Sequence, residues 1–370
     1  MNADLELRNI VAANLQLNRR EHLDGAVELR SFPHHIQIGA DNRCNLRCGF
    51  CLAAADREMG RVHIQDRKME HNPIEIFERL KPFMRYWNYL SLTGPGESLI
   101  NPKLDQILKM IRSSSDCTLV ITTNGVLINQ RLAGIFLDNG VDEISISMDS
   151  LKPDVYAELR INGELKDVLR AIDLLNDEKA RRGIEKPRIN LTPNFSRKNI
   201  EELPAFIDFA HENNINVVQA TPTQVYRRSW IQESLLNHRK LTREVAEQAE
   251  ERARELGVNL TNGLQMVYWE TDESLSFFGR TEKPDFPTDP STCLKPWTSV
   301  YIEPDGEVRP CCYQSPILGN IYERDLEEVW NGAEAQRLRR SMVEKHPPEQ
   351  CRNCYEFNRH DSSIMIQIRE

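Results

Sequence analysis

Three cysteines, Cys44, Cys48 and Cys51, lie within the nine residues RCNLRCGFC of segment 43–51. Cysteine thiolates are ligands for soft metals and for iron–sulfur clusters. A closed zinc site takes four ligands and usually gathers them as two close pairs. Three thiolates can instead hold three irons of a [4Fe–4S] cluster and leave its fourth iron open. The spacing therefore favours an iron–sulfur cluster over a zinc site or three unrelated reduced thiols.

Five further cysteines occupy the last fifth of the chain: Cys293, Cys311, Cys312, Cys351 and Cys354. The close pair in QCRNC, together with Cys293 and Cys311, supplies four thiolates, which is enough to saturate a second cluster. A closed zinc site is the alternative. Cys312 is then an alternative ligand or a buried thiol, and Cys117 is predicted to be a core residue.

Composition narrows the class of protein. The chain has 370 residues and a net charge of -9, which argues against binding to nucleic acid because phosphate contacts need a basic face. Residues 1–34 are polar and charged, so we predict no secretory signal, and no apolar run is long enough for a membrane span. We expect a cytoplasmic protein, whose cysteines serve as metal ligands rather than in disulfides.

Apolar runs rich in β-forming residues recur along the chain, separated by helical stretches. The runs are HIQIGA (35–40), YLSLTG (89–94), TLVITTNG (118–125), EISISMDS (143–150), RINLTP (188–193) and NVVQATP (216–222). Runs of this kind are typical of parallel strands that are covered on both faces. We therefore predict an α/β fold, a six-unit parallel barrel or open barrel, with the first cysteines at the carboxyl end of its first strand.

The segments outside these runs predict three parts of the chain. Residues 1–34 form a short amphipathic arm, residues 35–285 the barrel, and residues 286–370 a small cysteine-rich domain. In the helical stretch INPKLDQILKMI (100–111), Asn101 is expected to cap the helix and Pro102 to take its first position. In EPDGEVRPCC, Asp305-Gly306 predicts the turn of a hairpin before Cys311.

The pattern Cys44-xxx-Cys48-xx-Cys51, with Phe50 before the last cysteine, resembles the signature of the radical S-adenosylmethionine (SAM) superfamily. The resemblance implies a partial (β/α)6 barrel and a [4Fe–4S] cluster whose open iron is chelated by SAM. It further implies that SAM is cleaved reductively to a 5'-deoxyadenosyl radical, which abstracts hydrogen from a substrate. An electron donor such as flavodoxin or ferredoxin is implied as a partner.

Other positions at the carboxyl ends of strands are similar to SAM-binding motifs of that superfamily. TGPGE (93–97) resembles its Gly-Gly-Glu motif and implies SAM contacts from Gly94 and Glu97, although Pro95 departs from the glycine pattern. Ser147 and Asp149 fall where relatives bind the SAM ribose or carboxylate, and Arg160 where they place an arginine against the carboxylate. TTNG (122–125) would border the same pocket. Without the resemblance, turns and a solvated arginine are the ordinary interpretations of these residues.

The C-terminal cysteines resemble the SPASM domain of radical SAM enzymes, or its shortened form, the twitch domain. No cysteine follows Cys354, so we predict one auxiliary cluster, bound by Cys293, Cys311, Cys351 and Cys354. It would accept an electron from the substrate, relay electrons, or hold the domain together.

The resemblance leaves the substrate open. We favour the oxidation or rearrangement of a small polar metabolite, such as an amino sugar, cyclitol or nucleotide sugar, because the architecture resembles a twitch-type dehydrogenase of aminocyclitol antibiotic biosynthesis. A peptide maturase is the alternative, disfavoured by the 34 residues before the first strand, too few for a leader-binding module. A zinc-stabilised scaffold is a third possibility. The substrate-facing candidates are Tyr226, Arg227, Arg228, Tyr268 and Trp269, with Glu270 and Asp272 as candidate bases.

Overall fold

A computed structural model describes residues 2–69, 71–268, 293–313, 315–352 and 354. Six parallel strands occupy the six predicted runs: β1 His35–Ile38, β2 Tyr89–Leu92, β3 Thr118–Thr123, β4 Glu143–Ile146, β5 Arg188–Leu191 and β7 Val217–Pro222. Two more strands, β6 Asn194–Phe195 and β8 Asn259–Asn262, pair with β7 in parallel. The predicted α/β fold with a partial parallel barrel is confirmed.

Helices alternate with the strands and pack their apolar stripes on the sheet. In the barrel region they are α1 Asn2–Leu23, α2 Leu52–Glu58, α3 Ile74–Leu80, α4 Leu104–Ser114, α5 Gln130–Asp138, α6 Pro153–Leu159, α7 Leu165–Arg182, α8 Leu203–Glu212, α9 Arg239–Leu256 and α10 Gln265–Tyr268. Gly183 and Gly257 end α7 and α9 in the left-handed conformation that glycine adopts without strain. Within the described ranges, no helix is long and apolar enough to cross a membrane.

Helix α4 begins later than its sequence predicts. Asn101 caps a turn before the helix instead, because its side chain accepts a hydrogen bond from Lys103 N at 2.8 Å. The same side chain donates to Ala40 O at 2.6 Å, which ties the turn to the end of β1. The predicted start at Pro102 is therefore wrong by two residues, since the helix starts at Leu104. Its predicted apolar stripe, Leu104, Ile107, Leu108 and Ile111, is buried.

The C-terminal part continues the barrel sheet. Its elements are α11 Lys295–Thr298, β9 Ser299–Ile302, β10 Glu307–Arg309, β11 Gly319–Asn320, α12 Leu326–Trp330, α13 Ala333–Val343 and α14 Glu349–Arg352. Strand β9 pairs with β1 in parallel, and β10 returns antiparallel to β9 across the predicted turn, where Gly306 has φ 86°. The predicted boundary at 285/286 lies outside the described residues and stays a prediction.

The N-terminal arm is helix α1 and the segment after it, and both pack against the C-terminal part. The indole N–H of Trp330 donates to Ser31 O at 2.9 Å, and that of Trp297 donates to Ala26 O at 2.8 Å. Arg339, which is 0% exposed, donates to Pro296 O, Val27 O and Trp330 O at 2.9, 3.0 and 2.8 Å. These hydrogen bonds join the arm to the C-terminal helices α11, α12 and α13.

Candidate functional site

The cysteine loop, residues 41–51, leaves the carboxyl end of β1 and is anchored on both sides. Asn42 donates to Ile64 O and Arg67 O, both at 2.9 Å. On the opposite side, Arg47 N donates to Ile161 O at 3.0 Å and Gly49 N to Leu159 O at 3.3 Å. The end of α6 and the turn after it therefore fix the backbone that carries the three thiols.

The turn 93–97 after β2 packs directly against this loop. Glu97 N donates to Arg43 O at 2.8 Å. A Cβ on Gly96 would lie 2.5 Å from Asp41 O, and a Cβ on Gly94 would lie 2.6 Å from the Cα of Gly39. Both distances are shorter than any side chain allows, so glycine is required at 94 and 96 for the two loops to meet.

The three thiols lie on this anchored loop, with Cys48 buried and Cys44 and Cys51 half-buried. Burial raises the pKa of all three thiols, to about 11 for Cys48, and the nearby Arg160 opposes that rise. Thiols with raised pKa values stay protonated at neutral pH unless a positive charge stabilises the thiolate, which a metal centre does when it binds. The loop is therefore suited to a metal centre rather than to a free nucleophile.

Glu97 joins the carboxyl ends of two strands to the turn that carries it. Its carboxylate is 3% exposed and accepts hydrogen bonds from Thr123 Oγ1 and Asn124 N at 2.8 Å and from Leu99 N at 3.2 Å. Burial raises its pKa, and these donors oppose the rise. The Asn124 side chain in turn donates to Asn45 Oδ1 at 2.9 Å, so the TTNG segment contacts the cysteine loop.

Arg160 and Asp149 form a buried ion pair beside the cysteine loop. Asp149 is 0% exposed, accepts from Arg160 Nε and also accepts from Asn194 N at 2.8 Å. The Arg160 guanidinium lies 5.4 Å from the centre of the Phe50 ring. Within the part of the chain that the structure describes, its two terminal nitrogens have no hydrogen-bond acceptor. Ser147 lies at the end of β4, with its hydroxyl 3.4 Å from that of Thr192.

The C-terminal cysteines form a second group. Cys351 lies in α14 and Cys354 follows the helix, with Cys354 N donating to Cys351 O at 3.0 Å. Burial first, and then the neighbouring Cys311, Cys293 and Cys354, together raise the pKa of Cys351 to about 12. The other three predicted auxiliary ligands therefore each lie within electrostatic range of Cys351.

The remaining cysteines are placed outside these four. Cys312 is exposed and lies in electrostatic range of Cys311 and Cys354, whereas Cys117 is buried at 2% exposure, as predicted. In the described ranges, no group of three histidine, cysteine or acidic side chains is placed so that it could hold a single metal ion.

The predicted substrate-facing residues lie in different environments. Arg227 contacts the cysteine loop, since its Nη1 donates to Gly49 O at 3.0 Å. Tyr268 is 3% exposed, and its hydroxyl accepts a hydrogen bond from the Asn262 side chain at 3.1 Å. A side chain buried in this way serves the packing of the fold. Tyr226 is half-buried and Arg228 is exposed. Trp269, Glu270 and Asp272 lie outside the described residues.

Sequence reasoning missed residues that contact the cysteine loop. Trp230 is the clearest case, because it packs on Gly49 and on the Phe50 ring. Within the loop itself, sequence reasoning missed Asn45, which accepts the hydrogen bond from Asn124. No spacing in the sequence indicates the contact that either residue makes. A tryptophan in a polar loop, such as Trp230 in RRSW, is the one weak signal.

The fold and the loop define an α/β protein with two thiol sites, one at the carboxyl ends of its strands and one in a C-terminal extension. Protein-family models match the two regions of the chain that contain these thiols. The radical SAM superfamily matches residues 41–210, and the iron–sulfur cluster-binding SPASM domain matches residues 293–355. The chain is a radical SAM enzyme with a C-terminal SPASM domain.

Curated relatives are similar over part or most of the chain. A probable GTP 3',8-cyclase of Methanococcus maripaludis strain C7 is 22% identical over 342 residues, which is 87% of this chain and 96% of that protein. The protein of that name in strain C5 is 26% identical over 195 residues, 50% of this chain and 56% of that protein. The chain thus spans little more than half the length of the strain C5 relative.

Solved structures share the fold. SuiB of Streptococcus suis bound to its precursor peptide SuiA has a TM-score of 0.60 at 20% identity, covering 86% of this chain and 70% of that one. Native anSMEcpe with bound AdoMet has a TM-score of 0.58 at 18% identity, covering 82% of each chain.

The cofactors are [4Fe–4S] clusters and SAM. The residues present fit them: three buried or half-buried thiols on an anchored loop lie beside an arginine whose terminal nitrogens have no acceptor among the described residues. The assignment of Cys293, Cys311, Cys351 and Cys354 to an auxiliary cluster stays a prediction, although the first, second and last of these lie in electrostatic range of Cys351.

Proposed function

We propose that this chain cleaves SAM reductively, abstracts hydrogen from a small polar metabolite, and oxidises or rearranges it. The observation that carries this proposal is the convergence of the cysteine loop, the Asp149–Arg160 pair and Glu97 at the carboxyl ends of parallel strands. This is the end of a parallel barrel where enzymes of this architecture carry their chemistry.

The chain's own residues hold and orient the cofactors. Cys44, Cys48 and Cys51 are the ligands of the SAM cluster, and Cys293, Cys311, Cys351 and Cys354 those of one auxiliary cluster. When bound, the SAM cluster and SAM supply a 5'-deoxyadenosyl radical for hydrogen abstraction, and the auxiliary cluster supplies an acceptor for one electron.

Arg160 would hold the SAM carboxylate through its terminal nitrogens, because Asp149 occupies only Nε and fixes the plane of the guanidinium. Phe50 packs beneath that guanidinium. Glu97 acts by joining loops: its oxygens already accept three hydrogen bonds, so Gly94 and the turn backbone are better placed to receive the SAM ammonium. Ser147, half-buried at the end of β4, is a candidate partner for the SAM ribose.

A small metabolite is favoured by the relatives named as GTP 3',8-cyclases, since a nucleotide is a small polar substrate. A peptide maturase is the second candidate, because SuiB was solved with its precursor peptide and has the same fold. Flavodoxin or ferredoxin in the cytoplasm is the proposed electron source.

The test measures 5'-deoxyadenosine made from SAM by anaerobically reconstituted protein with dithionite or reduced flavodoxin. The probes are GTP, UDP-glucose, myo-inositol, glucosamine and a cysteine-containing peptide. We expect slow cleavage without a probe, stimulation by one of the small molecules, and none in a Cys44→Ala, Cys48→Ala, Cys51→Ala variant. Stimulation by the peptide alone would overturn the small-metabolite proposal, and equal cleavage by the triple variant would overturn the site.

A further inference from the structure

The segment after β7 covers the cysteine loop. Its 3₁₀ helix, Arg228–Glu233, follows Arg227, and Trp230 N donates to Arg227 O at 3.0 Å. Arg227 and Trp230 therefore belong to one turn, and their positions relative to each other are fixed by the backbone. This turn, residues 227–230, is called the cover turn below.

Arg227 holds the loop between two of its thiols. Its Nη1 donates to Gly49 O at 3.0 Å, and its Nε pairs with Glu58, at the end of the helix that begins directly after Cys51. Gly49 N is already occupied by Leu159 O at 3.3 Å. Both backbone groups of Gly49 are thus bonded, one to the barrel and one to the cover turn. The side chain of Arg227 is 25% exposed, so its bonds are only partly screened by solvent.

Trp230 fills the space above the same glycine. A Cβ on Gly49 would lie 3.0 Å from Trp230 Cζ2, and the Trp230 ring meets the Phe50 ring edge to face, with centroids 5.8 Å apart at 72°. The Phe50 ring therefore has both Trp230 and the Arg160 guanidinium as neighbours. Because Gly49 has no side chain, the Trp230 ring occupies the space that a side chain at position 49 would fill.

We propose that Arg227 and Trp230 are positioning residues for the SAM cluster: the cover turn keeps the cysteine loop closed, so that the cluster is retained and Phe50 stays oriented toward SAM. The inference rests on the proposed function only in placing that cluster at Cys44, Cys48 and Cys51. It gives Arg227 a different role from substrate binding, because Gly49 O and Glu58 already use its guanidinium.

The experiment follows iron release to a chelator, bathophenanthroline, from the reconstituted full-length protein. The Cys44→Ala, Cys48→Ala, Cys51→Ala variant contains auxiliary iron alone and identifies that phase of release. Arg227→Met is expected to release the SAM-cluster iron on the order of tenfold faster, because the variant loses one charge-assisted hydrogen bond to the loop. Arg227→Lys keeps a donor for Gly49 O and should stay within about threefold of wild type. Trp230→Ala should accelerate release and weaken the change that SAM causes in the EPR spectrum of the reduced cluster.

Lys240→Met is the matched control, since the Lys240 side chain is 90% exposed and pairs with Glu244 of its own helix. It should match wild type, and Arg227→Met in the triple-alanine background should leave auxiliary iron release unchanged. Equal release from Arg227→Met and wild type, with the SAM-cluster iron present, would overturn the positioning role. Failure of the proposed function would give a different result, because wild type and the triple-alanine variant would then contain the same amount of iron per chain.

Discussion

Replacing Arg339 by methionine should loosen the join between the N-terminal arm and the C-terminal part. Arg339 is 0% exposed and donates to three main-chain carbonyls, of Pro296, Val27 and Trp330, which belong to three different segments. Its guanidinium also lies 4.4 Å from the centre of the Trp330 ring. Methionine fills a similar volume but donates no hydrogen bond.

The magnitude is a balance of two effects. Each buried carbonyl that loses its donor costs about 1–3 kcal/mol, so three would cost about 3–9 kcal/mol. Against this, burial lowers the pKa of the Arg339 guanidinium to about 9, which means that the charge itself is penalised and that its removal is partly favourable. We expect a net loss of about 2–4 kcal/mol in the free energy of unfolding.

Urea unfolding followed by tryptophan fluorescence is a suitable assay, because Trp297 and Trp330 lie at this join. Arg340→Met is the matched control, since Arg340 is the exposed neighbour on the same helix. Arg339→Lys should be no better than methionine, because one ammonium cannot serve three carbonyls set around a planar fork. A loss below about 1 kcal/mol for Arg339→Met, or full rescue by lysine, would refute the reasoning.

Three further predictions concern the hairpin and the site. Burial, and after it the charge of Asp305, raises the pKa of Glu303 to about 7, so the stability that this carboxyl contributes at low pH is lost as the pH rises from about 4.5 to 7. Melting curves should therefore show the stability of Glu303→Gln rising by about 1–3 kcal/mol relative to wild type between pH 5 and pH 8. A difference that stays constant over this range would contradict the prediction. Gly96→Ala should cost about 1–3 kcal/mol in urea unfolding, because its Cβ meets main-chain oxygens, whereas Gly134→Ala, in a helix with room for a methyl, should not destabilise. Asp149→Asn should weaken SAM binding by the reconstituted protein about tenfold in calorimetry, since the charge that orients Arg160 is lost, and unchanged affinity would remove that role.

Much of the fold could be predicted because its signals are local. Parallel strands covered on both faces leave apolar runs, and all six were found where those runs occur. The hairpin at Asp305-Gly306 was likewise encoded in its turn residues. The cysteine loop was visible because three thiolates at short spacing have few structural uses.

The remaining features depend on contacts between distant residues. The pairing of β9 with β1 joins segments more than 260 residues apart, and the β9 sequence SVYI does not indicate which strand it pairs with. The contact of Arg227 with Gly49 spans 178 residues. Arg339 would be taken for a surface residue from its type, since arginine is rarely buried. Such arrangements are set by the packing of whole elements, which short patterns do not record.

The most direct test of the account measures iron and acid-labile sulfide per chain after anaerobic reconstitution. Two [4Fe–4S] clusters predict about eight of each in the wild type and about four in the Cys44→Ala, Cys48→Ala, Cys51→Ala variant. The Cys351→Ala, Cys354→Ala variant should also retain about four, now in a cluster whose EPR spectrum changes on addition of SAM. Stoichiometric zinc with little iron in the wild type would contradict the account.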